Sequence, residues 1–270
     1  MTAATTVVTP DVGASRSRLL TAVADTLTIA RRNLITLRRV PQLLIFSTIQ
    51  PVLFVLLFRY VFGGAIRVPG VPYVDYLMPG VFAQTVAFGA MNTAIGLASD
   101  LNTGLIERFR SLPMARSAVL AGRTLADAVR NVLVVSLMAA VGYAVGFRVH
   151  TNAGLFLASL ALLVLFGYVL SWVFAIVGLV VGEPETAQAA AFPVMAPLVF
   201  ASSAFVPVES MPGWLQPFAE NQPLSVVVEA SRALVLGGPT ARPVLEAIAW
   251  CAAILAIAAP IAVRRYRRAA

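Results

Sequence analysis

Between residues 18 and 39 apolar positions return every three or four residues, at Leu20, Val23, Leu27, Ala30, Leu34 and Leu37, with Arg31, Arg32, Arg38 and Arg39 set around them. That period belongs to an α-helix with one oily and one basic face. It predicts an amphipathic connecting helix over 16–41, lying along a membrane surface with its arginines toward anionic headgroups or a protein partner. Further on, six stretches are apolar all round for the roughly 20 residues that a hydrocarbon core of about 30 Å demands of a helix. They lie near 43–63, 76–99, 119–146, 153–181, 187–206 and 244–263. Residues 1–15 lack a basic region followed by an apolar run and read as a disordered lead rather than a signal peptide. The pattern predicts an all-α integral membrane protein with six transmembrane helices in one domain, 42–265, and a basic cytosolic tail at 266–270.

Two connections break the pattern. Between Pro207 and Arg242 lies ESMPGWLQPFAENQPLSVVVEASRALVLGG, with short helical patterns after Pro212 and after Pro223 and with Trp214, Phe218, Val226, Val227 and Leu234 as apolar anchors. Too apolar for free solution and too interrupted to span, it reads as re-entrant or interfacial helices capping the outer side between spans five and six. The stretch 100–116, DLNTGLIERFRSLPMAR, is polar instead. Asp100 or Asn102 is an N-cap candidate, a short helix carries Glu107, Arg108 and Arg110, and Pro113 stops it. A rigid charged element of this kind can pair with a soluble motor; the simpler reading is a loop whose arginines only enforce topology.

Composition fits the periodicity. With 59% hydrophobic and 12% charged residues and a mean hydropathy of +0.86, the chain is far from the roughly 25% charged content of soluble domains. A formal charge of +8 would suggest nucleic acid in a soluble protein, but here the arginines flank apolar segments and act as topology signals, so nucleic acid is set aside. The chain has no lysine. Six arginines precede the first span, four lie in 100–123 and four follow the last span, against Arg67, Arg148, Arg232 and Arg242 on the other side. The positive-inside rule then puts both termini and the 100–116 stretch in the cytosol. Arg123, Asp127 and Arg130, at helical spacing, open the third span as an ion-paired face.

Without lysine, a G-x-x-x-x-G-K-[ST] loop cannot exist, so the chain cannot hydrolyse a nucleotide by that route and is not expected to be an enzyme. The single histidine, His150, falls in an outer loop as a surface residue; the single cysteine, Cys251, reads as a packing residue; Ser202 and Ser203 have no basic partner. No metal or cofactor is expected in this chain. Polar groups inside the spans are mostly neutral, namely Gln50, Gln84, Asn92, Ser171 and Ser202, while Asp127, Glu229 and Glu246 lie near predicted ends. That argues against ion coupling within the chain. A dimeric ion-coupled carrier using Glu246 or Asp127, and a non-transporting membrane anchor, remain as alternatives.

Four stretches together resemble the permease subunits of type-2 ABC exporters, most closely the daunorubicin-resistance-like branch: YLMPG at 76–80, GLIERFRSLPMAR at 104–116, FASSAFVPVESMPGWLQPFAENQPLS at 200–225 and EASRAL at 229–234. With the six-span layout, the resemblance covers 20–265. It implies a multi-pass permease of the bacterial cytoplasmic membrane, working with a second permease, identical or related, and with two copies of a separate ATPase subunit that holds ATP and Mg2+. It implies that Gly104, Glu107, Arg108, Arg110 and Pro113, with Arg31, Arg32, Arg38 and Arg39, contact the ATPase. It implies that spans one, two and five face the path, with Phe54, Phe58, Gln84, Phe88, Asn92, Met195 and Phe200 as its lining, the plainer reading being that these side chains pack or face lipid; Pro193 and Pro197 either kink span five for movement or are merely tolerated there. An aromatic, weakly charged path suits an amphipathic drug or lipid, with polysaccharide or glycolipid export as the alternative within the same architecture.

Overall fold

The computed structural model describes residues 14–39, 41–66, 68, 70–105 and 116–269, and these are helices and their connections, without strand. In order they are α1 (Ala14–Arg39), α2 (Pro41–Leu56) running into a π-helical stretch (Leu57–Phe62), α3 (Tyr73–Asn102), α4 (Arg116–Ala144), α5 (Ala153–Val181), α6 (Pro184–Phe200), α7 (Gln216–Asn221), α8 (Pro223–Leu236) and α9 (Ala241–Ala269). Among the described residues four helices are long and apolar enough to cross a membrane: α3, α4 from Ala118, α5, and α9 as far as Arg268. The described apolar part of α2 and its π stretch, Thr48–Phe62, is shorter. So is α6, whose 17 residues reach only about 25 Å.

The bundle is built around α3. Of its most apolar window 72% is buried, against 17% for α9, which leaves Leu245, Ile257 and Ile261 outward. The cause is a run of small residues: Ala83, Ala87, Ala90, Ala94 and Ala98 recur at helical spacing and have no exposed surface. Lipid tails supply no hydrophobic drive between helices, so close backbone approach must hold them together, and small side chains permit it. Helix α5 lies along this face, where any Cβ on Gly178 would fall inside contact distance of the Ala94 carbonyl.

Helix ends follow local chemistry. Helix α5 begins where Asn152 Oδ1 accepts from the Leu155 amide at 2.8 Å, and it ends at Gly182, left-handed at φ +77°, two positions before Pro184 opens α6. Those bounds match the expected 153–181. Helix α3 runs further than expected. Asp100 and Asn102, expected as N-cap candidates for a new helix, instead lie in the last turn of α3, which stops at Gly104 (φ +67°). The expected coupling helix with Glu107, Arg108, Arg110 and Pro113 lies outside the described residues.

Helix α1 packs on α4 because Gly122 leaves room: a Cβ there would stand 2.6 Å from Thr26 O and 2.7 Å from Ile29 Cβ. Ile29 and Ala30 are buried in this contact, whereas Val23 and Leu27 of the oily stripe are 57% and 56% exposed. Val23 and Leu27 therefore face away from the bundle, while Ala30 of the same stripe packs into it. Helices α7 and α8 form where the two short patterns were expected, and α8 packs against α3, α5 and α9. Helix α9 continues through 266–269, the stretch expected as a tail, with Tyr266 buried beside Leu97 and Leu120.

Candidate functional site

Polar residues gather along one line through the bundle. At the α1 end, Asp100 on the last turn of α3 bonds Arg123 of α4, and Arg32 of α1 stands 3.8 Å from the same carboxylate. Three helices are thus joined by one charge cluster. It borders a cavity of about 510 Å³ that also reaches Asn92, Asp127 and Arg130.

Deeper in, Thr93 Oγ1 donates to Asp127 Oδ2 at 2.5 Å, and Arg130 lies 3.2 Å from Asp127 Oδ1. The other guanidinium nitrogen of Arg130 donates to the Gly89 carbonyl at 2.5 Å. Charges in a membrane segment persist when they neutralise one another and satisfy backbone, and this pair does both. The carboxylate that an ion-coupled carrier would need is therefore committed to an arginine. Glu246, the other candidate, pairs with Arg242 at 2.8 Å on an exposed turn.

Next comes a cavity of about 290 Å³ bounded by Gln50 and Pro51 of α2, Gln84, Phe88 and Asn92 of α3, Asn131 of α4 and Gln188 of α6. It shares Asn92, Ile95 and Arg130 with the cavity at the α1 end, so the two cavities adjoin across these side chains. Further along α2 from Gln50 and Pro51 is a group of stacked aromatics, none of which lines the cavity. Phe58 lies 4.6 Å from Phe205 with rings 8° from parallel, and Phe54, Phe62 and Phe200 pack around them. On the far side, at the α8 end, a cavity of about 890 Å³ is lined by Tyr76, Ser203, Glu209, Glu220 and Glu229.

One arginine locks the far end. Arg232 is 4% exposed, with its guanidinium carbon 3.5 Å from the Tyr76 ring centroid. It donates to Tyr76 O at 3.0 Å, Ser203 O at 2.6 Å and Ala204 O at 3.2 Å, and it pairs with Glu229 at 2.7 Å. Tyr73 Oη donates to Phe205 O, and Gln222 Nε2 to Leu198 O, around the same turn. The turn after α6 is thereby tied to α3 and α8. Arg232, counted among the arginines on the outer side, is a buried staple. Nearby, His150 Nε2 lies 2.8 Å from the buried Asp75, joining the α4–α5 connection to α3.

The structure divides the expected path residues. Gln84, Phe88 and Asn92 line the middle cavity; Phe54, Phe58 and Phe200 belong to the aromatic stack; Met195 is fully buried in the core and lines neither. Of the expected contact residues, Arg31 is exposed, Arg32 sits at the α1-end cluster and Gly104 caps α3. Arg38 and Arg39 fall in the last turn of α1, with side chains outside the described residues. Sequence reasoning missed the Asp100–Arg123 bridge, Asn131, Gln188 and Phe205. Asp127 with Arg130, Glu229 with Arg232 and Arg242 with Glu246 carry a local helical spacing, whereas the missed partners come from distant helices.

The family described as ABC-2 type transporter matches residues 24–236. The chain is 35% identical over 247 residues to the "Daunorubicin resistance ABC transporter permease protein DrrB1" of Streptomyces coeruleorubidus, covering 92% of this chain and 87% of that one. It is 30% identical over 249 residues to the "Probable doxorubicin resistance ABC transporter permease protein DrrC" of Mycobacterium tuberculosis (strain ATCC 25618 / H37Rv), covering 92% and 90%. The "Putative transport permease ycf38" of Cyanophora paradoxa is 26% identical over 216 residues, covering 78% and 74%.

Proposed function

The chain belongs to the ABC-2 type transporter family as a permease subunit, and from that premise we propose that it carries an amphipathic drug-like or lipid-like substrate outward with energy from a separate ATPase subunit. In this reading α2 with its π stretch, and α6 with the turn that follows it, complete six spans in the bacterial cytoplasmic membrane. Both termini face the cytosol, and two permease chains work with two ATPase subunits that bind ATP and Mg2+. The relatives' names refer to daunorubicin and doxorubicin resistance, which favours drug efflux.

The observation that carries the reading is the pair of adjoining cavities. In this reading the cavity at the α1 end, with its paired charges, opens from the cytosol, the adjoining cavity with Gln84, Phe88 and Asn92 receives the substrate, and the Phe54, Phe58, Phe200 and Phe205 stack serves as the outer closure. An inward-open path with an outer plug has this form. Movement of the ATPase against the 106–115 stretch would reach the plug through α3, because the Asp100–Arg123 bridge and Arg32 fasten the cytosolic ends of α1, α3 and α4 together.

Purification from native membranes tests this directly. A nucleotide-binding subunit should accompany the chain, and Arg108→Ala with Arg110→Ala should weaken that association or uncouple hydrolysis from transport. Efflux that follows a proton gradient, with no ATPase retained, would point to the ion-coupled carrier instead.

A further inference from the structure

Charge without a partner stands at the end of α9. Arg264, Arg265 and Arg268 are exposed, and none of them has a hydrogen bond or ion pair among the described residues. With Ile261 they line a hollow of about 160 Å³, and no acidic side chain borders it. The helix sets their placement: Arg264 and Arg268 are one turn apart, Arg265 lies beside them, and Ile257 and Ile261 continue the same stripe toward the middle of the helix. Ile257 and Ile261 are 64% and 40% exposed. The adjoining face is fixed, since Ala258, Ala262 and Tyr266 recur every four residues and are buried, Tyr266 in one cluster with Leu97 of α3 and Leu120 of α4. The three arginines therefore stand on a packed helix with their guanidinium groups open to a ligand.

Two plainer reasons for arginine here leave the arrangement unexplained. A helix C-terminus favours cations, and a basic flank sets topology. Both are met by arginine on any face of the last turns, including Arg267, which does not border the hollow. Neither calls for three on one stripe, where like charges a turn apart repel. We propose that this stripe binds the phosphodiester headgroup of an anionic phospholipid of the phosphatidylglycerol type, with an acyl chain along Ile257 and Ile261. Phosphate oxygens accept from several guanidinium groups at once and relieve their repulsion. The apolar ridge ends where the arginines begin, as a lipid chain ends at its phosphate. Lipid is also what α9 is open to, since only 17% of its most apolar window is buried. A zwitterionic lipid offers the same phosphate but brings an ammonium group toward three cations. A soluble anion or an acidic protein surface would leave the isoleucines unused.

The test uses the full chain with its ATPase partner in phosphatidylcholine nanodiscs doped with a trace of phosphatidylglycerol or phosphatidylcholine that carries a diazirine on one acyl chain. Labelled peptides are mapped by mass spectrometry. Phosphatidylglycerol should label the Ile257–Ile261 stretch about tenfold more than phosphatidylcholine. Arg265→Gln should lower that preference about threefold, and replacing Arg264, Arg265 and Arg268 together with glutamine should bring it to within about twofold. Arg267→Gln, which removes one charge from the same turn but away from the hollow, should leave it unchanged. A single symmetric peak in size exclusion reports that each variant has folded, and the wild-type ratio with its map decides the question without any variant. Equal labelling by the two lipids, or a preference that maps away from α9, overturns the site. Equal effects of Arg265→Gln and Arg267→Gln overturn it too, because net charge alone would then attract the lipid. Loss of the ATPase from the triple variant while the α9 lipid preference persists would assign the arginines to a protein contact instead.

Discussion

Replacing Arg232 with methionine should loosen the outer cap of the protein. Methionine keeps much of the apolar stem but removes a planar donor that serves Tyr76 O, Ser203 O and Ala204 O from one side chain and covers the Tyr76 ring. A hydrogen bond from a charged group is worth about 1.5–3 kcal/mol, and a desolvated cation over an aromatic ring about 2 kcal/mol. Against this, the variant no longer buries a charge, and Glu229, whose side chain is 53% exposed, rehydrates when released. The net loss is about 3–5 kcal/mol, the lower end of about 1–3 kcal/mol for each of the three carbonyl oxygens that lose their donor. At about 2–4 °C per kcal/mol for a chain of this size, the thermal midpoint of the purified protein in detergent should fall by about 6–20 °C. Arg232→Lys should recover less than half of that, because a lysine lacks the fork that reaches three carbonyls. A midpoint for Arg232→Met within about 2 °C of wild type, or full recovery by lysine, would refute the staple.

Three further outcomes are expected. Gly178→Ala should cost about 1–3 kcal/mol, because α3 must retreat from α5, whereas Gly213→Ala, with open space around its Cβ, should be neutral; thermal midpoints of the two decide. Asp100→Asn and Arg123→Gln should each lower stability, and a double-mutant cycle should give a coupling of about 1 kcal/mol for this partly exposed pair; strict additivity would mean that the bridge does not join α3 to α4. Phe58→Ala removes a ring stacked on Phe205, an aromatic contact worth about 0.5–1.5 kcal/mol, and should make proteoliposomes leak a small trapped fluorophore without ATP; a tight variant would remove the aromatic stack as the outer closure.

The helices were legible in sequence where a local signal ends them. Helix α5 is bounded by an asparagine cap and by Gly182, with Pro184 two positions on, and its expected and observed limits coincide. Helix α3 overran its expected end because Asp100, polar enough to look like the start of something new, is held in the helix by Arg123 from α4. Helix α6 stops at Phe200, short of the expected 206, because the following turn is fixed by Gln222 and Arg232, which lie on other elements. The amphipathic period of α1 was correct, but which face packs was set by Gly122 on α4 and is invisible in the segment's own pattern. In the site, Gln84, Phe88 and Asn92, expected from the resemblance, line one cavity from one face of α3, whereas Arg232 and Tyr76 are 156 residues apart and meet only through the fold.

The central claim is that motion delivered by a separate ATPase, and no ion gradient, drives outward transport through this chain. The permease should be reconstituted with its ATPase subunit into proteoliposomes loaded with Mg2+ and ATP on the cytosolic side, and movement of a fluorescent anthracycline followed with and without an imposed proton gradient. The account predicts transport that requires hydrolysable ATP, persists when the gradient is collapsed, and stops when the ATPase subunit is left out. Transport by the permease alone along a proton gradient, abolished by Asp127→Asn, would contradict it.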